Sequence, residues 1–125
     1  MTLEYSIKML ATEHVETARQ FLNDADREFE AGDMLQASEK LWGAASHVVI
    51  AEMQRREMKT SGHRAMILAV RQIAEDHGDM ELRPGFAAAR ALHANFYHGF
   101  MEDYEYAENR ELVRRFVERI TMLAS

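Results

Sequence analysis

The sequence predicts an all-α fold, an antiparallel bundle of four or five helices built as one domain over residues 1–125. Three observations carry this. Apolar residues recur every three or four positions along most of the chain, the period of a helix with a buried stripe. Proline and glycine are scarce, one Pro and six Gly, and they fall where that periodicity breaks. Strand-like alternation is weak.

The elements follow in order. Val15, Ala18, Leu22, Ala25 and Phe29 share one stripe of a first helix. Gly32 ends it and Asp33 is placed to cap the next. The second helix, about Met34 to Glu57, is apolar on two sides. Ala37, Leu41, Ala44, Ala45 and Val48 form one stripe; Leu35, Trp42, Val49 and Met53 form another. Two apolar sides need two sets of neighbours, so this helix is central in the bundle or shared with a partner subunit. In the second case Trp42, Val49 and Met53 are the expected dimer surface, and two-fold homodimers are the commonest arrangement for such a patch. Ser61 is the expected cap of a third helix carrying Met66, Ile67, Val70, Ile73 and Ala74, which ends near His77 and Gly78. Pro84 suits the first turn of a fourth, where its missing N–H costs nothing, and that helix should end near Gly99. A fifth runs from about Glu105 to Leu123 with Leu112, Val113, Phe116, Val117 and Ile120 facing inward. "FEAGDMLQASEKLWGAA" superficially resembles one tetratricopeptide hairpin, but no second copy is present for it to stack on.

Composition bounds the function. An apolar share of 47% with 29% charged residues supports a packed core and argues against disorder. The absence of cysteine excludes disulfides and thiolate metal sites and fits a reducing compartment. "MTLEYSIKML" has neither the basic start nor the apolar run of a signal peptide, and no stretch approaches the roughly 20 apolar residues of a membrane span, so a cytoplasmic protein is expected. With a formal charge of −6, the surface as a whole would not hold a polyanion, and any nucleic-acid contact needs a local basic patch.

One stretch stands out for its chemistry, "ARALHANFYHGF". Arg90, His93 and Tyr97 lie three and four residues apart, on one helical face that Phe86 extends backwards. Ala89, Leu92 and Phe96 lie on an adjacent face suited to the core. Arg holds a phosphate through its planar fork of donors. His exchanges protons near neutral pH, so the pair could cleave RNA through attack of its own 2′-OH, without a metal. Tyr97 could stack on a base, and Asn95 and His98 could add ligand contacts. The competing reading is a hydrogen-bonded structural or interface cluster, the commoner fate of such residues.

Other polar residues carry weaker signals. No metal site is expected: His93 and His98 point about 140° apart around a helix, and no Glu-x-x-His motif is present. His47, within "AASHVVI", reads as a buried histidine with a satisfied hydrogen bond. "RREMKTSGHR" gathers Arg55, Arg56, Lys59, His63 and Arg64, a possible RNA or phosphate contact or else a solvated turn that complements a helix end. Arg114, Arg115 and Arg119 alternate with Glu111 and Glu118 as on a solvated face.

Two stretches, "GDMLQASEKLWGAASHVV" and "ALHANFYHGF", together resemble the PaREP-type proteins, small prokaryotic helical proteins of the HEPN superfamily. The resemblance spans about Phe29 to Ile120. It implies an antiparallel bundle that dimerises, a core over about residues 29–120, and, for many superfamily members, a metal-independent RNase or toxin. Those enzymes use an Arg followed after four to six residues by a His, in a cleft between two copies. His93 and Tyr97 match the histidine end of that pattern. The Arg positions hold Phe86, Ala87 and Ala88, and Arg90 lies only three residues before His93. The expectation is therefore a HEPN-like dimer without established catalysis. It would bind RNA, a nucleotide or an antitoxin-like protein partner through the Arg90–His93–Tyr97 face, with no cofactor. A metal-independent endoribonuclease using His93 and Arg90, and a structural subunit of a larger assembly, are the alternatives.

Overall fold

The structure, a computed structural model, describes residues 3–59 and 61–123, with side chains described from residue 11 onward. The chain is all-α. Its five helices are α1 (Leu3–Glu30), α2 (Met34–Arg55), α3 (His63–His77), α4 (Leu82–His98) and α5 (Asp103–Leu123), with no strand among the described residues. The side chains of "MTLEYSIKML", on which the expectation about a leader rests, lie outside the described residues.

Local signals set the helix ends. Gly32 adopts φ +87°, and Asp33 N–H reaches back to the Glu28 carbonyl at 2.9 Å, closing α1 in a left-handed turn. Asp33 then caps α2, its carboxylate accepting from Gln36 N–H at 3.0 Å. α2 stops at Arg55 rather than Glu57, because Glu57 itself takes the left-handed conformation at φ +58° and Met58 N–H bonds to the Met53 carbonyl at 2.8 Å. Ser61 does not cap α3. Gly62 occupies that position at φ +87°, a conformation that disfavours a serine, and no side chain caps the helix. Pro84 sits in the first turn of α4, where its missing N–H leaves no helical bond unmade. α5 begins two residues before the expected Glu105, with Asp103 and Glu105 both in its first turn, favourably placed at the positive end of the helix dipole.

α2 is the central helix and touches each of the other four. Both of its apolar stripes are covered from within. Leu41, Ala44, Ala45 and Val48 are buried, and so are Trp42, Val49 and Met53 at 9%, 0% and 1% exposure. The dimer surface expected through Trp42, Val49 and Met53 is therefore not available; of that stripe, only Leu35 is exposed. Two glycines permit the closest approaches. A Cβ at Gly43 would stand 2.6 Å from the Phe21 ring of α1, and one at Gly85 would stand 2.8 Å from Phe116 Cβ of α5. On α4, Ala89 and Leu92 are buried as expected, whereas Phe96 is half-buried and Phe86, expected on the polar face, is buried. Leu112 is exposed rather than inward, one position off the Val113, Phe116, Val117 and Ile120 stripe.

Candidate functional site

α4 presents His93 toward α2, and α2 supplies its partners. His93 Nδ1 lies 2.8 Å from Glu39 Oε1, with both side chains about a quarter exposed. A carboxylate can only accept, so Nδ1 carries the proton and donates, which leaves Nε2 free. The imidazole stacks on Trp42 with ring centres 4.8 Å apart and 25° between planes. The edges of His63 and Tyr97 meet it at 5.5 and 5.3 Å. Three rings, one each from α2, α3 and α4, thus fix the histidine from several sides. The assembly opens into a groove of about 310 Å³ whose lining includes Gln36, Glu39, Lys40, Trp42 and His93. Lys40 Nζ stands 4.9 Å over the Phe21 ring on another wall. Tyr97 is 67% exposed and offers a ring face at the edge of this cluster. The arrangement combines an oriented imidazole, an aromatic platform and an ammonium group, which suit base stacking, phosphate contact and proton transfer.

Arg90 does not share this groove. It is exposed and lines a separate one between α3 and α4, of about 410 Å³, together with Arg71 and Arg83. The structure thus joins His93 with Tyr97 and parts Arg90 from both.

Asn95 is fully buried and its polar atoms are engaged. Its amide donates to Ser38 Oγ at 3.0 Å, and its carbonyl accepts from Phe100 and Met101 N–H at 2.9 and 2.8 Å. It fastens the α4–α5 turn to α2 and presents nothing to a ligand. His98 is exposed in the last turn of α4. Arg55 and Arg56 both pair with Glu52, and Arg56 also reaches Asp76 at 2.7 Å, tying the end of α2 to the end of α3. Arg64 is exposed at the start of α3. Arg114 and Arg115 pair along α5 with Glu111 and Glu118, whereas Arg119 crosses to Asp79 at 2.7 Å.

Glu39, Lys40, Arg71 and Arg83 are site residues that the sequence reading did not select, and His63, read there as part of a basic turn, stands instead against His93. Glu39 lies one turn before Trp42, so whatever faces Trp42 also meets Glu39. Arg83 and Arg90 are two turns apart on one face of α4. His47 is half-buried rather than buried and shares its hydrogen bond with His14 of α1, Nδ1 to Nδ1 at 2.7 Å. Burial, and then the nearby His14, hold the His47 imidazole below its ordinary range. No three His, Asp or Glu side chains converge on a metal-sized site among the described residues.

Residues 13–117 match the archaeal PaREP1/PaREP8 family. The chain belongs to that family. The matched span reaches from α1 into α5 and contains both grooves. No curated protein sequence matches the chain. No helix among the described residues is long and apolar enough to cross a membrane.

Proposed function

We propose that this PaREP1/PaREP8-family chain is a HEPN-like bundle that acts in the cytoplasm and binds single-stranded RNA through the His93–Tyr97 face of α4. One observation carries the reading: the His93 ring, held by Glu39 and stacked on Trp42, stands against the exposed Tyr97 ring beside an open groove. A base stacks on Tyr97, while the neighbouring phosphate meets Lys40 and the His93 Nε2 edge. The homodimer that the superfamily resemblance implies would close over Phe100 and Tyr104, each more than half exposed, instead of over the buried Trp42 stripe, and would leave the Tyr97 ring open to a base.

Trp42 is the only tryptophan and touches His93, so its fluorescence reports on the groove. Titration of the full chain with a single-stranded RNA oligomer should change that signal. Tyr97→Ala should weaken binding about tenfold, within the range for loss of one base–aromatic stack. Binding that is absent, or unchanged in Tyr97→Ala and Lys40→Gln alike, removes the proposal. Light scattering across protein concentrations, with Phe100→Glu as the variant, tests the dimer.

A metal-independent endoribonuclease is the second reading, favoured by the Glu39–His93 hydrogen bond. That bond sets the tautomer and leaves Nε2 to take a proton from a 2′-OH or return one to the leaving oxygen. Loss of general acid–base catalysis in His93→Gln should slow cleavage by about 10²–10⁴-fold. Equal product from His93→Gln and the wild type rules the nuclease out without touching the binding proposal.

A further inference from the structure

The groove between α3 and α4 concentrates positive charge in a chain whose formal charge is −6. Arg71 and Arg83 stand on it with Arg90, over a floor that includes Ile67, Val70 and Phe86. Nearly every other arginine among the described residues lies within 4.0 Å of a carboxylate, Arg64 being the exception outside the groove. Within it, Arg83 and Arg90 have no such partner, and Arg71 has only a long contact of 3.8 Å to Glu75 between two well-exposed side chains. Three guanidiniums gathered around one groove repel each other, and acidic residues are plentiful elsewhere on the surface. Leaving them unneutralised here is a cost that an anionic ligand would remove.

The floor limits what that ligand is. Leu68, on the rim, leaves 46% of its surface exposed, and Pro84 and Ala87 add further apolar surface. The volume of about 410 Å³ lies within the range of small-molecule sites and exceeds what a bare inorganic anion fills. We propose that the α3–α4 groove binds a phosphate ester of nucleoside-monophosphate size, with its phosphate on Arg71, Arg83 and Arg90 and its apolar part on the floor beside Leu68. The guanidinium forks supply paired donors to the phosphate oxygens, and the apolar floor shelters the organic part. This site is distinct from the His93 groove and stands or falls independently of the RNA proposal.

Calorimetric titration of the full chain with adenosine 5′-monophosphate, adenosine and inorganic phosphate tests it. The monophosphate should bind more tightly than either fragment. Arg83→Gln and Arg71→Gln should each weaken it about tenfold, the scale of one charged hydrogen-bonding partner. Both residues are exposed, and circular dichroism checks that the variants fold. Arg19→Gln, an equal loss of charge on α1, should leave the affinity unchanged. Competition by a single-stranded RNA oligomer would identify the phosphate source as RNA; failure to compete would identify it as a free small ester. Absence of monophosphate binding at millimolar concentration overturns the proposal. So does equal affinity for inorganic phosphate, or equal weakening in Arg19→Gln.

Discussion

Arg90 and His93 stand three residues apart on one helix and serve two different grooves. A step of three residues turns about 60° around a helix axis. On an isolated helix both side chains would share a face. α4, however, is packed against both α2 and α3, and that turn is enough to send His93 toward α2 and Arg90 toward α3. Trp42 and Phe86, with ring centres 5.7 Å apart, stand where the two grooves adjoin, Trp42 lining one and Phe86 the other. The two sides also differ in how charge is handled. On the His93 side the one carboxylate accepts a hydrogen bond from the imidazole, whereas two guanidiniums on the Arg90 side have no acidic partner. A shared helical face is thus a statement about one element, and its neighbours decide whether it becomes one site.

The largest expected effect comes from breaking the seam that positions the His93 side. Asn95→Ala removes the acceptor for two backbone N–H groups and the donor to Ser38 at a fully buried position. It should cost about 2–4 kcal/mol in urea unfolding, since each polar group left unsatisfied is worth about 1–3 kcal/mol. A loss below about 1 kcal/mol would show that water replaces those bonds and that the α4–α5 turn does not depend on the side chain. Next is a pair of glycines, Gly43 on the His93 groove and Gly85 where α4 packs on α5. Gly85→Ala drives a methyl against Phe116 Cβ, which cannot move without α5, and should cost about 1–3 kcal/mol. Gly43→Ala meets only the ring of half-buried Phe21. Its helix-propensity gain of about 1 kcal/mol offsets the displacement, so net stability should stay within about 1 kcal/mol of the wild type. Equal destabilisation by the two would contradict the view that the Phe21 ring yields where Phe116 Cβ cannot.

How much of this could be read from the residues varies from place to place. The five helices follow from apolar spacing, and Gly32, Asp33, Gly78 and Gly99 mark helix ends through chemistry confined to a few neighbours. Ser61 and Gly62 show where such reading stops. A serine beside a helix start looks like a cap, yet the chain enters α3 through a left-handed backbone that selects the glycine. Trp42 sits on a stripe that is visibly apolar, but only packing decides whether a partner or the chain's own α3 and α4 covers it. The His93 pair joins residues 54 positions apart and the His47 pair residues 33 apart. Spacing within one helix carries no information about either partner.

The smallest effect separates the two grooves by pH. His14 and His47 share a hydrogen bond that needs at least one unprotonated imidazole, and the Phe21 ring packs on His47 at 5.4 Å while lining the His93 groove. The folded state holds His47 below the ordinary histidine value of about 6.5, which the unfolded chain retains. Below that value the unfolded chain binds the proton more readily than the folded one. The stabilisation from a neutral His47 is therefore complete above about pH 6.5 and is lost as pH falls through the lowered folded value. Urea midpoints should be level from pH 8 to 7 and decline shallowly below 6.5, and His47→Gln should flatten that decline. In the same titration the Phe21 ring resonances should move while the Leu68 methyls, across α4 on the arginine groove, stay in place. Movement of both together, or of Phe21 unchanged by His47→Gln, would mean that the two grooves respond as one body and that the division across α4 is geometric only.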